Sequence, residues 1–184
     1  MTHQFDKFPA LDTPRLSLVE LTEHHCADLF AMFTNPHVTQ YFPVIPMREE
    51  KDLLKMITLF KDRYAAQTGI RWGIVLQGQD TVIGTAGFNS FTIGHKASLV
   101  YALHPNEQGK GLITEALQAI LQFGFEELNV NRIEAEVMPG NTASEKVLGK
   151  LEFIYEGLLR EWMYWQGIRS DIKMYSLLAS EWGK

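Results

Sequence analysis

The chain has 184 residues, of which 46% are hydrophobic and 21% are charged, and its formal net charge at pH 7 is −5. This length predicts a single domain spanning residues 1–184, and the composition excludes wholesale disorder, a collagen-like repeat and a coiled coil. The acidic balance argues against a general nucleic-acid-binding protein, because such proteins carry an excess of basic residues.

Cysteine content and hydropathy indicate the cellular compartment. The single cysteine, Cys26, allows no intrachain disulfide, which suits a reducing environment. No apolar run approaches the roughly 18 residues that a membrane-spanning helix needs, and the first residues lack the pattern of a signal peptide. We therefore expect a cytoplasmic protein with no membrane or nucleic-acid partner.

The first part of the chain predicts one strand and two helices. Alternating apolar residues predict a strand over residues 15–21. Apolar residues at helical spacing then predict a helix, N-capped by Thr22, that continues to residue 33 and buries Cys26. Asn35-Pro36 ends this helix, and the clustered prolines that follow predict an irregular loop. A second helix is predicted over residues 48–64.

The rest of the chain predicts a sheet with two further helices. The predicted strands cover residues 70–76, 81–88, 97–103, 132–138, 153–160 and 168–178, and the predicted helices cover residues 111–128 and 141–150. The first two of these strands form a hairpin, and Gly84 and Gly87 within the second indicate a bulge or a close backbone approach. The last two strands turn near Gln166-Gly167. The strand–helix–strand unit over residues 97–138 predicts one parallel pair in a mixed sheet.

A glycine-containing loop between a strand and a helix carries the clearest chemical signal. Gly109 and Gly111 remove side chains where a ligand could approach the backbone, and the helix that follows would offer its first amides and its dipole to an anion. Lys110 adds a positive charge and Thr114 adds a hydroxyl. This pattern predicts a pyrophosphate site, with a plain loop-to-helix junction as the alternative.

Two familiar phosphate-binding loops do not fit this segment. A P-loop needs Lys after its last glycine, but Gly111 is followed by Leu112. A dinucleotide fingerprint needs a third small residue where this chain has Thr114. The order of strands and helices also differs from that of a doubly wound nucleotide-binding fold.

At this point the sequence resembles the GNAT acyl-CoA N-acyltransferases, whose cofactor loop reads roughly Gln/Arg-x-x-Gly-x-Gly/Ala. The loop here has Asn106 at the first position, which departs from the pattern, and Gln108 partly substitutes for it. The likeness covers about residues 12–182 and is strongest to the branch of ribosomal-protein N-terminal (alanine/serine) acetyltransferases. The matching motifs, in chain order, are Thr13-Pro14-Arg15-Leu16, Thr114-Glu115-Ala116-Leu117, Asn141-Thr142-Ala143-Ser144 and Lys150-Leu151-Glu152-Phe153. Glu152 replaces the glycine that usually precedes this phenylalanine.

The resemblance implies a fold of the α/β (α+β) class and acetyl-CoA as the co-substrate, with no metal. The central sheet would be mixed and mostly antiparallel, with flanking helices and a parallel pair, residues 97–103 and 132–138, that splays apart. Backbone groups near Leu103 would bind the pantetheine arm. The implied cofactor-binding residues are Leu103, His104, Gln108, Gly109, Lys110, Gly111, Leu112, Ile113, Thr114 and Asn141.

Three residues are the candidates for catalysis. The resemblance places Asn141 against pantetheine or substrate and Ser144 near the thioester sulfur, where its hydroxyl could hydrogen-bond to the leaving thiolate or protonate it. Helix capping by Asn141 or Thr142 is the alternative, and both interpretations can hold together. Glu134 and Glu136 share one face of a strand, and Glu136 is the preferred general base unless this face is only solvated or salt-bridged. Ser98 stands where the family often has a base.

The leading hypothesis is an enzyme that transfers acetyl from acetyl-CoA directly to a primary amine. A protein N-terminus is one candidate acceptor, because an α-amine has a reference pKa near 7.7–8 and needs less help from a base than a lysine does. A small amine is another acceptor, and a non-catalytic acyl-CoA-binding regulator or a nucleotide-binding oxidoreductase are the other classes. Tyr101 and Tyr155 are possible acids. Three aromatic residues near the last turn would line an acceptor site or cover the sheet: Trp162, Tyr164 and Trp165.

Overall fold

The computed structural model describes residues 7–43, 47–165 and 167–183. Its strands are β1 (Leu11–Asp12), β2 (Leu16–Glu20), β3 (Ile70–Leu76), β4 (Val82–Thr92), β5 (Lys96–Leu103), β6 (Arg132–Val137), β7 (Ile154–Trp165) and β8 (Ile168–Leu178). Its α-helices are α1 (Cys26–Phe33), α2 (Pro36–Thr39), α3 (Lys51–Ala65), α4 (Leu112–Gln122) and α5 (Thr142–Lys150).

The described strands form a single sheet in the order β1-β2-β3-β4-β5-β6-β8-β7. Neighbouring strands are antiparallel except β5 and β6, which are parallel. The predicted mixed, mostly antiparallel sheet and its β3–β4 hairpin are therefore confirmed. One crossover, through α4, joins the two parallel strands.

The parallel pair is joined at one end only. Its register runs from Lys96 opposite Arg132 to Leu99 opposite Ala135 and then stops, although β5 continues to Leu103. Strand β6 instead pairs with β8 along its whole length. The two strands therefore splay apart as predicted, and the backbone of residues 100–103 faces the gap between them.

Helices cover both faces of the sheet. On one face, α4 and α5 pack on a core that includes Trp72, Phe88 and Ile133. On the other face, α1 and α3 enclose a second core around Leu29 and Leu53. Cys26 is buried in this second core, as predicted, because it lies on the apolar side of α1.

The predicted bulge and close approach in β4 are both present. The register between β3 and β4 shifts between Ile74 and Val75, which leaves an extra residue on β4. A β-carbon on Gly87 would lie 2.2 Å from the carbonyl oxygen of Ile70, so the two strands can meet here only at a glycine.

Two predictions about helices are wrong. The segment after Asn35 begins a short helix, α2, because the Asn35 side chain accepts the His37 N–H at 3.0 Å and Pro36 is compatible with a first helical position. The predicted helix over residues 111–128 stops being α-helical at Gln122 and continues as a π-helical turn, Phe123–Glu127, whose first three residues are buried.

Several boundaries also differ from the predictions. Strand β7 runs to Trp165 and not to residue 160, β4 runs to Thr92, and the short strand β1 was not predicted. Pro46 and Gln166, which belong to the predicted loop and to the predicted last turn, lie outside the described residues. Within the described ranges, no helix is both long and apolar enough to cross a bilayer.

Candidate active site

The loop before α4 has an unusual backbone at its two glycines. Gly109 has φ +76° and Gly111 has φ +78°, a left-handed conformation that glycine adopts without steric cost. A β-carbon on Gly109 would meet no atom within 4 Å, and one on Gly111 would meet only the Arg15 guanidinium, at 3.6 Å. Because the first turn of a helix has no intrahelical acceptor for its amides, this open loop fits a pyrophosphate.

Three residues from two of the sequence motifs, Thr13, Arg15 and Glu115, connect this loop to the start of the sheet. Glu115 accepts hydrogen bonds from the Thr13 hydroxyl at 2.7 Å and from Arg15 Nε at 2.6 Å. Arg15 Nη1 also donates to the carbonyl oxygen of Lys110 at 3.0 Å. Burial alone would raise the pKa of Glu115, but these hydrogen bonds outweigh it and hold the pKa below its usual value. The sequence motifs contained these residues without indicating this role.

The remaining polar side chains of the loop make local contacts. Gln108 Nε2 donates to the carbonyl oxygen of Leu103 at 3.2 Å, which closes the loop against the end of β5. His104 Nδ1 accepts the Asn106 N–H at 3.3 Å and caps the 3-10 turn Pro105–Glu107. Lys110 Nζ lies 2.9 Å from the Glu107 carboxylate. The predicted cofactor residues from Leu103 to Thr114 thus lie on one continuous segment from the end of β5 to the first turn of α4.

Ser144 lies beside the splayed part of β5. Its hydroxyl is 2.6 Å from the Tyr101 hydroxyl, on a stretch of β5 that has no pairing with β6. Burial raises the pKa of Tyr101 to about 12, although the hydrogen bond to Ser144 opposes this, so the phenol is protonated near neutral pH. The Asn141 side chain accepts the Ser144 N–H at 3.1 Å, which confirms Asn141 as the N-cap of α5.

Two carboxylates on β6 have different surroundings. Glu134 lies 3.0 Å from Lys96 and 2.8 Å from Arg132. Burial would raise the pKa of Glu134, but hydrogen bonds from Arg132 and Lys96 outweigh it and lower the pKa. Glu136 is exposed and accepts a hydrogen bond from the Trp162 indole at 3.2 Å. The salt-bridged interpretation therefore holds for Glu134, and the solvated interpretation fits the exposed Glu136.

A cleft of about 460 Å³ opens beside the end of β6, between the α1–α2 segment and the β7–β8 hairpin. We call it the side cleft. Its lining residues are Phe33, Thr34, Thr39, Gln40, Phe42, Pro43, Met47, Met138, Met163, Trp165, Ile168 and Ser170. Trp165 lines this cleft, Trp162 contacts Glu136, and Tyr164 is 70% exposed, so the three hairpin aromatics have different surroundings.

The described residues contain no group of three or more His, Cys, Asp or Glu side chains that could hold a metal ion. Tyr155, considered as an acid, is exposed on β7 and packs its ring against Tyr175 at 5.3 Å. The sequence analysis named Tyr101 as a possible acid and did not connect it with Ser144. Its position two residues before the end of a strand that feeds the glycine loop was the available signal.

Comparison with known proteins identifies the family. The sequence model of the acetyltransferase (GNAT) domain matches residues 15–154. An uncharacterized N-acetyltransferase, YoaA, from Bacillus subtilis (strain 168) is 35% identical over 172 residues, which cover 93% of this chain and 97% of that protein. The [ribosomal protein uS5]-alanine N-acetyltransferase of Escherichia coli (strain K12) is 30% identical over 113 residues, 60% of this chain and 58% of that protein.

A solved structure has the same fold. RimJ from Mycobacterium smegmatis, in complex with CoA-disulfide, superimposes with a TM-score of 0.82 at 22% identity over 92% of this chain and 84% of that one. The open glycine loop at the start of α4 and the free edge of β5 fit the phosphates and the extended arm of acetyl-CoA. This chain belongs to the GNAT acetyltransferase family and is an acetyl-CoA-dependent N-acetyltransferase.

Proposed function

We propose that this enzyme acetylates the α-amine of a protein N-terminus. The surroundings of Glu134 carry this proposal, because two cations lower the pKa of the most sheltered carboxylate on β6 and make it a poor base. An α-amine has a reference pKa near 7.7–8, so it loses its proton with little help, whereas a lysine amine near 10.4 does not. The similarity to an enzyme named for the N-terminal alanine of a ribosomal protein supports the same acceptor class.

On the cofactor side, backbone groups do most of the binding. The amides from Gln108 to Thr114 would hold the pyrophosphate, with Lys110 and Arg15 supplying positive charge. Leu112 and Ile113 contribute their first-turn amides, while His104 and Gln108 keep the loop closed. The backbone near Leu103 and the Asn141 side chain would position the pantetheine arm.

On the chemical side, Ser144 is the proposed hydrogen-bond donor that stabilises the departing thiolate. Tyr101 acts as a positioning residue, because a phenol that donates to Ser144 Oγ leaves the serine proton free to point elsewhere. Asn141 holds the first turn of α5 and thereby fixes the position of Ser144. Glu136 would order water or attract the cationic form of the acceptor, and the amine itself loses its proton largely unaided.

The test uses peptides with one free α-amine and one lysine, prepared with α-amines of different pKa. We expect acetyl only on the α-amine, and we expect kcat/KM to rise with pH and level off near each peptide's own α-amine pKa. Glu136→Gln should lower kcat/KM by less than about threefold, because the carboxylate takes no proton. Thiol release and mass spectrometry of the product measure both outcomes.

A peptide with a blocked N-terminus is the control and should release no CoA above background. Acetylation of its lysine, or faster turnover of a polyamine, would contradict the α-amine assignment. If kcat/KM levels off at the same pH for every acceptor, and if this pH dependence disappears in Glu136→Gln, Glu136 is the general base. Glu126→Gln, an exposed carboxylate near the far end of α4, controls for the loss of a surface charge.

A further inference from the structure

The side cleft has no charged residue in its described lining. Phenylalanine, tryptophan, isoleucine, proline and three methionines form most of its walls, and the remaining lining residues are Thr, Gln and Ser. Its volume of about 460 Å³ is within the range of roughly 300–1,000 Å³ that small-molecule sites occupy. A cleft with such walls favours an uncharged occupant, because a buried charge without a partner loses its hydration and gains nothing in return.

The hydroxyl groups in the lining are partly used by the protein itself. The Thr34 hydroxyl donates to the carbonyl oxygen of Phe30 at 2.7 Å, and the Thr39 hydroxyl donates to that of Asn35 at 3.3 Å. Arg169, which stands in the chain between the lining residues Ile168 and Ser170, is paired with Glu161 at 3.1 Å. The surface offered to a ligand therefore consists mainly of methyl, thioether and aromatic groups.

The position of the cleft connects it with the candidate active site. Met138 directly follows β6 and lies two residues after Glu136. A β-carbon on Gly140 would lie 3.3 Å from the hydroxyl of Tyr41, which stands in the chain between the lining residues Gln40 and Phe42, so this wall of the cleft is adjacent to the turn between β6 and α5. That turn leads to Asn141 and Ser144. A group bound in the cleft would therefore be close to the end of the splayed strands.

We propose that the side cleft binds an apolar group next to the acceptor amine, so that the preferred acceptors are N-termini with uncharged, apolar first and second residues. This inference rests on the proposed function and names the acceptor class more narrowly. Burial of a large apolar side chain supplies the binding energy. Three flexible thioethers, from Met47, Met138 and Met163, adapt to different shapes, so the preference follows apolar area more than shape.

The first test measures kcat/KM by thiol release with peptides that differ only in their first two residues. We expect Leu-, Met- and Phe-containing termini to exceed Ala and Ser termini by about tenfold or more, and Lys- and Glu-containing termini to be the slowest. Equal rates across the panel, or a preference for charged termini, would overturn the inference.

The second test places a charge in the cleft. Met163→Glu should lower kcat/KM for the Leu terminus by about tenfold, because an apolar side chain in the cleft would strip water from the new carboxylate. It should raise kcat/KM for the Lys terminus, because the carboxylate attracts the lysine ammonium. Leu158→Glu is the matched control: it lies on the same strand, is 45% exposed and is outside the cleft lining, so it should leave the order of acceptors unchanged. An unchanged order in Met163→Glu, or the same change in both variants, would contradict the inference.

The panel also includes phenylethylamine and spermidine, which separate this inference from the proposed function. Phenylethylamine faster than every peptide would overturn a protein N-terminus as the acceptor and would still support an apolar cleft. Peptides acetylated only at the α-amine, but with no apolar preference, would support the proposed function and overturn the cleft assignment.

Discussion

The cofactor loop and the side cleft are built in opposite ways. The loop is one continuous segment, from Leu103 to the first turn of α4, and its chemistry lies in backbone amides and two left-handed glycines. The cleft combines side chains from residues 33–43, from Met47 and Met138, and from the β7–β8 hairpin, which are far apart in the chain. A site made of backbone amides can be recognised in the sequence by its short glycine motif. A cleft lined by apolar side chains cannot be recognised in this way, because its residue types are those of the hydrophobic core.

This difference corresponds to two tasks: binding acetyl-CoA, which is common to the family, and choosing an acceptor, which is specific to each enzyme. Every acetyl-CoA-dependent member must hold the same diphosphate, and a loop made of backbone can do so with few fixed side chains. The acceptor differs from one enzyme to another, and side chains on separate segments can change without disturbing the loop. The largest effects of substitution are therefore expected in the loop and smaller, substrate-dependent effects in the cleft.

The largest effect on acetyl-CoA binding is expected for Gly111→Val. A branched side chain would force the left-handed backbone to change and would fill the space beside the first amides of α4. We expect the Kd for acetyl-CoA to rise by about 100-fold or more, equivalent to two charge-assisted hydrogen bonds of about 1.5–3 kcal/mol each. Isothermal titration calorimetry measures this change.

Gly78→Val is the matched control for backbone strain. Gly78 has φ +75° and lies in the β3–β4 turn, and a β-carbon added there would meet no atom within 4 Å. Both variants should lose similar thermal stability, but only Gly111→Val should lose acetyl-CoA affinity. Equal affinity losses in the two variants would show that the loop geometry at Gly111 has no special part in binding.

The next largest effect is expected on kcat, from substitutions of the hydrogen-bonded pair Tyr101 and Ser144. Ser144→Ala should lower kcat by about 10–100-fold with little change in the KM for acetyl-CoA, which corresponds to about 1.4–2.7 kcal/mol in the transition state. Tyr101→Phe should lower kcat by about three- to tenfold, because the serine hydroxyl remains but is no longer held at 2.6 Å. Addition of Tyr101→Phe to Ser144→Ala should have almost no further effect on kcat.

Tyr175→Phe separates this role from a structural one. The Tyr175 hydroxyl also donates to α5, at Glu145 Oε2 over 3.2 Å, but it does not bond to Ser144. We expect this variant to lose some stability and to keep its kcat. Additive losses in the Tyr101 and Ser144 double variant, or an equal loss of kcat in Tyr175→Phe, would contradict a Tyr101–Ser144 unit.

The sequence predicted the sheet and the cofactor loop because their signals are local. Alternation defined the strands, and the two glycines before an amphipathic helix defined the loop. The π-helical turn Phe123–Glu127 was missed because its apolar residues continue the helical pattern, and its single glycine, Gly124, does not by itself end a helix. Helix α2 was missed because Asn35-Pro36 both ends one helix and begins the next.

The contacts that build the site depend on residues far apart in the chain. The bond between Tyr101 and Ser144 spans 43 positions, and the bond between Thr13 and Glu115 spans 102. No periodicity or spacing connects such residues, because only the sheet brings them together. The same holds for the side cleft, where Met138 and Met163 have the composition of core positions until the strand order is known.

The smallest predicted effect concerns Glu152, where the chain departs from its family. Glu152 has φ +64° just after α5, its N–H donates to Gly149, and the next N–H donates to Leu148, which is the pattern of a left-handed helix end. The same conformation at the start of α4 is occupied by Gly111. A non-glycine residue in this conformation costs about 1–2 kcal/mol, and the greater freedom of glycine in the unfolded chain offsets part of it.

Glu152→Gly should therefore raise the stability by about 0.5–1 kcal/mol, or the Tm by about 1–4 °C, and should leave kcat unchanged because Ser144 is at the other end of α5. Thermal unfolding followed by circular dichroism measures the change. Asn129→Gly is the matched control: Asn129 has φ +50°, but asparagine tolerates this conformation, so its gain should be smaller. A lower Tm for Glu152→Gly would show that the glutamate side chain stabilises the end of α5 by more than its backbone conformation costs.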